Sequence, residues 1–322
     1  MNRIIFHCIV LLFVPWCLHA QPDPLPSWQE GPLKQTIVSF VQHVTQKGAI
    51  TYVPPEDRIA TFDNDGTLWA ERPVVQELFA MYRIAEMIRE NPVLKEQQPY
   101  KAVVNQDESY FTNGGEKSLV ELVLLTHTGM TQEAFHATAV HFFETITHPV
   151  LKVPLSKTVY QPQLELLTYL RANGFKTFIC SGGTAELIRA VSDQYYGIPA
   201  EQVIGTEFQY QYEDSTGLND IVRLPGLRTL NDKQTKPVNI LYHIGKRPIL
   251  ACGNEGAAGD IYMLRYSQGS NKYPSLQLLV NHDDPQREFY YQEANNQSLN
   301  WAGRYHWNVI SMKNDWKTVF VK

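Results

Sequence analysis

Apolar and polar positions along this chain follow two rhythms. Residues 74–90, "VVQELFAMYRIAEMIRE", repeat apolar positions every three or four residues, which predicts an amphipathic helix. The same spacing predicts helices over "LKQTIVSFVQHVTQ" and over 116–125, 131–147, 161–172, 184–195, 236–244 and 259–265. Short apolar runs predict strands at 58–62, 175–180, 203–208, 248–252, 276–281 and 307–312. No strand pattern occurs between 74 and 158, so this stretch reads as a helical insertion. Residues 209–224 read as a hairpin with its turn near Asp214–Gly217. Alternating strands and helices predict an α/β protein with a mostly parallel sheet covered on both faces.

Composition adds limits to this picture. The chain has 322 residues, 43% hydrophobic and 19% charged, with a formal net charge of −5. No long basic run is present, which argues against a nucleic-acid partner. The first twenty residues differ from the rest: Arg3 precedes an apolar run from Ile4 to Phe13, and Leu18-His19-Ala20 offers a small residue before Gln21. That pattern predicts a cleaved signal peptide over 1–20 and an exported protein, periplasmic or secreted, with no stable membrane association after cleavage. Cleavage leaves Cys180 and Cys252, each at the end of an apolar run, and both read as small buried hydrophobes.

Candidate chemistry collects where strands end. "RIATFDNDGTLWAERP", residues 58–73, closes an apolar strand with Asp63 and Asp65. Two residues apart on extended backbone, their side chains leave the same face. Two such carboxylates are costly together unless a cation offsets them or one keeps a proton. Oxygen-only ligands suit Mg²⁺. The plainer alternative is a turn or a helix cap. Ser181-Gly182-Gly183-Thr184 follows the next strand and opens a helix, where backbone N–H groups favour an anion. Lys236 is a candidate for neutralising charge on a phosphoryl group, with Lys233 as competitor. Gly253-Asn254-Glu255 closes a further strand, and Asp260 follows; its plain reading is the cap of "IYMLRY".

These features, in this order, resemble the haloacid dehalogenase-like superfamily, and within it the phosphoserine-phosphatase-like phosphatase branch. The resemblance spans about residues 55–315. Its first motif, Asp-x-Asp-Gly-Thr, is matched by Asp63 to Thr67; its second by Ser181; its third by Lys236. The fourth, Gly-Asp with a further Asp downstream, is matched only in part by Gly253-Asn254 and Asp260, since Asn254 is neutral and the spacing is long. The resemblance implies a Rossmann-like core of 21–73 and 159–322, with a helical cap of 74–158 inserted between motifs one and two. It implies Asp63 as nucleophile and Asp65 as acid and base. Ser181, Gly182 and Lys236 would hold phosphate. Mg²⁺ would sit on Asp63, Asp65 and Asp260, with Asn254 and Glu255 as alternative ligands. The implied activity is hydrolysis of a small phosphomonoester through an aspartyl-phosphate. A phosphotransferase, a pyrophosphate-cleaving relative and a non-catalytic binder of a phosphorylated ligand are the alternatives.

Other residues carry weaker signals. His136 and His141 lie five apart, outside any zinc pattern, and read as structural or surface residues. Asp284-Pro285 reads as a helix start, and Asp283 as a residue within reach of the site. Trp69, Glu71 and Arg72 follow motif one as candidate substrate contacts, with packing the alternative for Trp69, and Tyr290, Tyr291 and Tyr305 read as packing. Oligomeric state is not legible.

Overall fold

The computed structural model describes residues 23–214, 217, 219–256, 259–269 and 272–322. The expected signal peptide lies outside the described residues. In chain order the elements begin with α1 (Pro32–Thr45), β1 (Ile59–Phe62), α2 (Val75–Glu90), α3 (Tyr100–Val104) and α4 (Glu108–Gly114). There follow α5 (Glu116–His127), α6 (Gln132–Thr145), α7 (Gln161–Ala172), β2 (Lys176–Thr184), α8 (Ala185–Arg189) and α9 (Ser192–Tyr196). The hairpin β3 (Val203–Glu213) and β4 (Asp220–Thr229) comes next, then α10 (Thr235–Ile244), β5 (Leu250–Asn254) and α11 (Ile261–Gln268). The chain closes with β6 (Leu276–Asn281), α12 (Gln297–Tyr305), β7 (Asn308–Ser311) and α13 (Met312–Asp315).

Seven strands form one sheet in the order β4-β3-β2-β1-β5-β6-β7. All neighbours are parallel except the edge strand β4, which runs antiparallel to β3. β1 and β5 are buried along their whole length, as continuous apolar strands are when helices cover both faces. The strands divide their side chains between those faces. Phe62, Ile179, Leu250 and Val280 join a core with Leu166 and Leu170 of α7. Cys180, Ile204, Ala251 and Leu279 join a second core with Ile240 of α10 and Met263 of α11. Both described cysteines are buried and free, as their place in apolar strands implies.

Register fixes the functional end of the sheet. Phe62 sits opposite Ile179 of β2 and Cys252 of β5. The residues after Phe62, Ile179 and Cys252 therefore emerge side by side at the carboxyl edge, where open α/β sheets carry their sites. Helices α2 to α6 lie between β1 and α7 in sequence, and Ala80, Ile84, Tyr100 and Leu122 form a separate apolar core among them. No helix among the described residues is long and apolar enough to cross a membrane.

Some local expectations need correction. β2 does not stop at Cys180 but runs on to Thr184, with a shift in its pairing to β3 between those residues. The helix expected over 184–195 is two short helices, because Val191 leaves the helical region at φ −130° and Ser192 starts again. Asp284 caps no helix: its carboxylate accepts from Gln286 N and Arg287 N and closes a single turn. Asp283 is engaged elsewhere, accepting from Ser311 Oγ at 2.6 Å and Lys313 N at 3.0 Å. Helix α12 (Gln297–Tyr305) lies where no element is predicted from the sequence.

Candidate active site

Motif one turns as soon as β1 ends. Asp63 N donates to Cys252 O, so the chain is still in sheet pairing at the first carboxylate. Asn64 O then accepts from Thr67 N and Leu68 N, closing a tight loop. Gly66 has φ +74°, and a Cβ there would lie 2.1 Å from Asn254 Nδ2 and 2.6 Å from Tyr291 Oη. Glycine is thus required twice, by conformation and by close approach.

The loop gives the two aspartates different surroundings. Asp63 is buried and accepts from Lys236 Nζ at 2.8 Å. The same ammonium donates to Asp260 Oδ1 at 2.5 Å. Burial, then the Asp260 charge, pushes the Asp63 carboxyl well above the usual range, against the pull of Lys236. Burial also works against the Lys236 ammonium, yet Asp260 and Asp63 hold it well above the usual lysine range. Asp65 instead accepts from Trp69 Nε1 at 2.8 Å. Burial pushes Asp65 up to about 6 despite that bond, and the Glu71 charge adds to the rise.

The remaining residues fall into two groups. Ser181 lies at the shift in β2, where its Oγ accepts from Gly183 N at 3.0 Å and also bonds the Asp65 carboxylate. Thr184 N donates to Gln76 Oε1, so the N–H groups of Gly183 and Thr184 already have partners. The short α8 behind them therefore offers less to an anion than the sequence implied. Asp260 stands at the start of α11, but its side chain caps nothing. Its Oδ2 accepts from Asn254 N at 2.9 Å while its Oδ1 holds Lys236. Lys233 is exposed and does not compete. Asn254 faces the cavity, 3.4 Å from both Glu71 Oε2 and Tyr291 Oη. Glu255 turns away, its carboxylate accepting from Glu293 N.

Together Asp63, Asp65, Ser181, Gly182, Lys236, Asn254 and Asp260 line one open cavity of about 280 Å³; Glu255 is not on its wall. Sequence reasoning missed Asp232 and Gln76 on that wall, and Asn231 beneath it. Buried Asn231 donates to Ser181 O at 2.8 Å and fixes that backbone. None of these residues has a local pattern to announce it; only the fold brings them there. Tyr291, read as packing, is packed: it stacks on His282 and the Arg72 guanidinium covers its ring at 4.7 Å. Trp69 is fully buried and packs against Phe143, which agrees with the packing role, and its Nε1 also donates to Asp65.

The donor chemistry fits a hard divalent cation. Asp63, Asp65, Glu71, Asp232 and Asp260 face the cavity against the single ammonium of Lys236. An anionic substrate would be repelled from such a wall without added positive charge. Among the described residues no cluster of three or more His, Cys, Asp or Glu side chains is gathered at metal-holding spacing. Lys236 lies between Asp63 and Asp260 and takes one oxygen of each.

The model of the haloacid dehalogenase-like hydrolase family matches residues 60–231, more than half of the chain. The chain belongs to the haloacid dehalogenase-like hydrolases. Motif one and Ser181 both fall inside the matched span. Among solved structures, a conserved functionally unknown protein from Anaerococcus prevotii DSM 20548 superposes with a TM-score of 0.53 at 13% identity, covering 89% of this chain and 94% of its own. A protein of unknown function from Bordetella pertussis Tohama I gives 0.50 at 13% identity, covering 79% and 97%. A phosphoserine phosphohydrolase-like protein from Francisella tularensis subsp. tularensis SCHU S4 gives 0.42 at 17% identity, covering 79% and 94%. At these identities the likeness to the first two is one of fold. No curated protein sequence matches this chain.

Proposed function

We propose that this haloacid dehalogenase-like hydrolase cleaves a small phosphomonoester through an aspartyl-phosphate on Asp63. The observation that carries the reading is the unequal pair at the end of β1. Asp63 is gripped by Lys236, whereas Asp65 is held by Trp69 and Ser181 and pushed up to about 6. Burial raises both carboxyls; the Lys236 ammonium together with a bound cation would keep Asp63 ionised as the nucleophile, while Asp65 at about 6 carries the proton near neutral pH.

In this mechanism an Asp63 oxygen attacks phosphorus, the ester P–O bond breaks, and Asp65 gives its proton to the leaving alkoxide. Asp65 then takes a proton from water as that water attacks the same phosphorus. Phosphate leaves and the Asp63 carboxylate is restored. Lys236 and Ser181 Oγ bind phosphoryl oxygens, whose charge must be stabilised during transfer. Mg²⁺ fits the oxygen donors, with Asp63, the backbone carbonyl of Asp65 and Asp260 to hold it and Asn254 beside them. When bound, it supplies the positive charge that five carboxylates around one ammonium lack. Export as a cleaved precursor belongs to the same proposal, and N-terminal sequencing of the mature protein checks it.

The testing experiment is phosphate release from a panel of small phosphomonoesters, with Mg²⁺ and then with EDTA. Metal-dependent release is expected. A folded protein that binds Mg²⁺ and releases no phosphate from any ester would overturn the reading.

A further inference from the structure

Behind the polar cavity lies a second one of different chemistry. It holds about 260 Å³ and shares Gln76, Gly182 and Gly183 with the first. Its far walls are Val120, Val123 and Leu124 of α5, and Leu227 and Leu230 on and just after β4. None of these five carries a polar side-chain atom.

The helix pattern shows why this wall needs an occupant. At about 100° per residue, Val120, Val123 and Leu124 fall on one side of α5, and Leu122 and Leu125 on the other. Leu122 and Leu125 pack into the core with α2. The first side is left over, with Val120 37% exposed, and across from it Leu230, just after β4, is 50% exposed. An edge hairpin and a helix both turn apolar residues toward the same space, next to a phosphate-sized polar cavity.

Gln76 stands at the junction. Its Oε1 accepts from Thr184 N at 3.3 Å, which fixes the orientation of the amide. Its Nε2 is buried without a hydrogen-bond partner. A Cβ on Gly183 would lie 2.6 Å from that nitrogen, so glycine there keeps the passage open. The amide N–H is thus a donor waiting where the two cavities meet.

We propose that the second cavity binds the alcohol portion of the substrate, and that the substrate class is phosphomonoesters of apolar alcohols. The phosphoryl group would lie in the polar cavity, the hydrocarbon against Val123, Leu124 and Leu230. Gln76 Nε2 donates to an oxygen at the join. This rests on the phosphatase reading for its substrate, but the binding geometry can be tested without turnover.

The probes are ethyl-, butyl- and hexylphosphonate, whose C–P bond resists hydrolysis, titrated calorimetrically into the full mature chain with Mg²⁺. Affinity is expected to rise about three- to fourfold per methylene until the cavity fills, the factor that about 0.8 kcal/mol per buried CH₂ gives. Leu230→Asp, at a half-exposed position that tolerates the change, and Val123→Asp should each cut the hexyl-to-ethyl affinity ratio at least tenfold. A flat dependence on chain length in the wild type, or a ratio untouched in both variants, overturns the inference. Chain-length dependence without hydrolysis of any ester supports the binding geometry and removes the phosphatase reading, and the substrate class with it. Hydrolysis with a flat dependence removes only this inference.

Discussion

Lys236 and Arg223 are both buried cations, and their surroundings are opposite. Lys236 at the catalytic edge is enclosed by the carboxylates of Asp63 and Asp260 and faces an open cavity. Arg223 of β4 is fully buried, and no carboxylate is among its hydrogen-bond partners. It donates to His127 O and to Gln132 Oε1, both at 2.6 Å, and to Tyr210 Oη at 3.1 Å. Its guanidinium lies 3.9 Å from the Phe135 ring centre and 4.8 Å from that of Phe208. Aromatic faces and neutral acceptors replace the counter-ion there. Backbone pairing of Arg223 with Gly129 and Met130 completes a clasp between the helical insertion and the hairpin. Burial and a shifted pKa are therefore common to both places. What separates a reactive site from a structural one is excess like charge beside an open cavity, present at Lys236 and missing at Arg223.

Several substitutions would break or sharpen that contrast. The largest effect is expected at Asp63→Asn, which should lower kcat at least about a thousandfold by removing the nucleophile. Its Tm should stay within a few degrees of wild type, since Asp260 still pairs Lys236; steady-state kinetics with thermal melting checks both. Arg223→Met should do the reverse. It removes ring contacts and leaves His127 O and Gln132 Oε1 without their donor, costing about 2–4 kcal/mol in denaturant unfolding. Activity per folded molecule should remain that of wild type.

A smaller effect should appear with pH at the same clasp. Burial holds the His127 imidazole down to about 3, with the Arg223 charge adding to the fall. The unfolded chain takes this proton near pH 6.5 and the folded chain refuses it. Stability is therefore complete above about pH 6.5 and falls as pH drops, by about 1 kcal/mol per unit near pH 5. In His127→Phe that part of the slope should vanish from unfolding curves taken at several pH values. The smallest effect belongs to Asp57, held down to about 2 by hydrogen bonds from Lys246, Tyr273 and Lys272. A lowered carboxyl pKa stabilises above the unfolded value and is lost as pH falls from about 4 to 2. At this solvent-facing site Asp57→Asn should cost under about 1 kcal/mol at pH 7, and nothing by pH 2.

The sheet was largely legible because parallel strands buried on both faces are mostly apolar, as at "IATF" and "LACGN". Asp63, Asp65, Ser181, Asn254 and Asp260 were legible because each lies at or just beyond the end of such a strand, whereas Lys236, on α10, was singled out by the family resemblance; the fold gathers all six on one cavity. Gln76 and Asp232 reach the cavity from a helix and a loop, so no spacing marks them. The inward turn of Asp260 was also hidden, since Asp before a helix reads equally as a cap until its partners are known. Glu255 shows the converse: beside the motif in sequence, it turns away in space.

The most direct test is to mix the mature protein with an excess of a hydrolysed phosphomonoester and Mg²⁺, quench in acid, and map phosphoryl groups by peptide mass spectrometry. A phosphoryl adduct confined to the peptide carrying Asp63, lost in Asp63→Asn and accumulating in Asp65→Asn, is the predicted result. Turnover that persists in Asp63→Asn, with no adduct on that peptide in the wild type, would contradict the assignment of Asp63 as nucleophile.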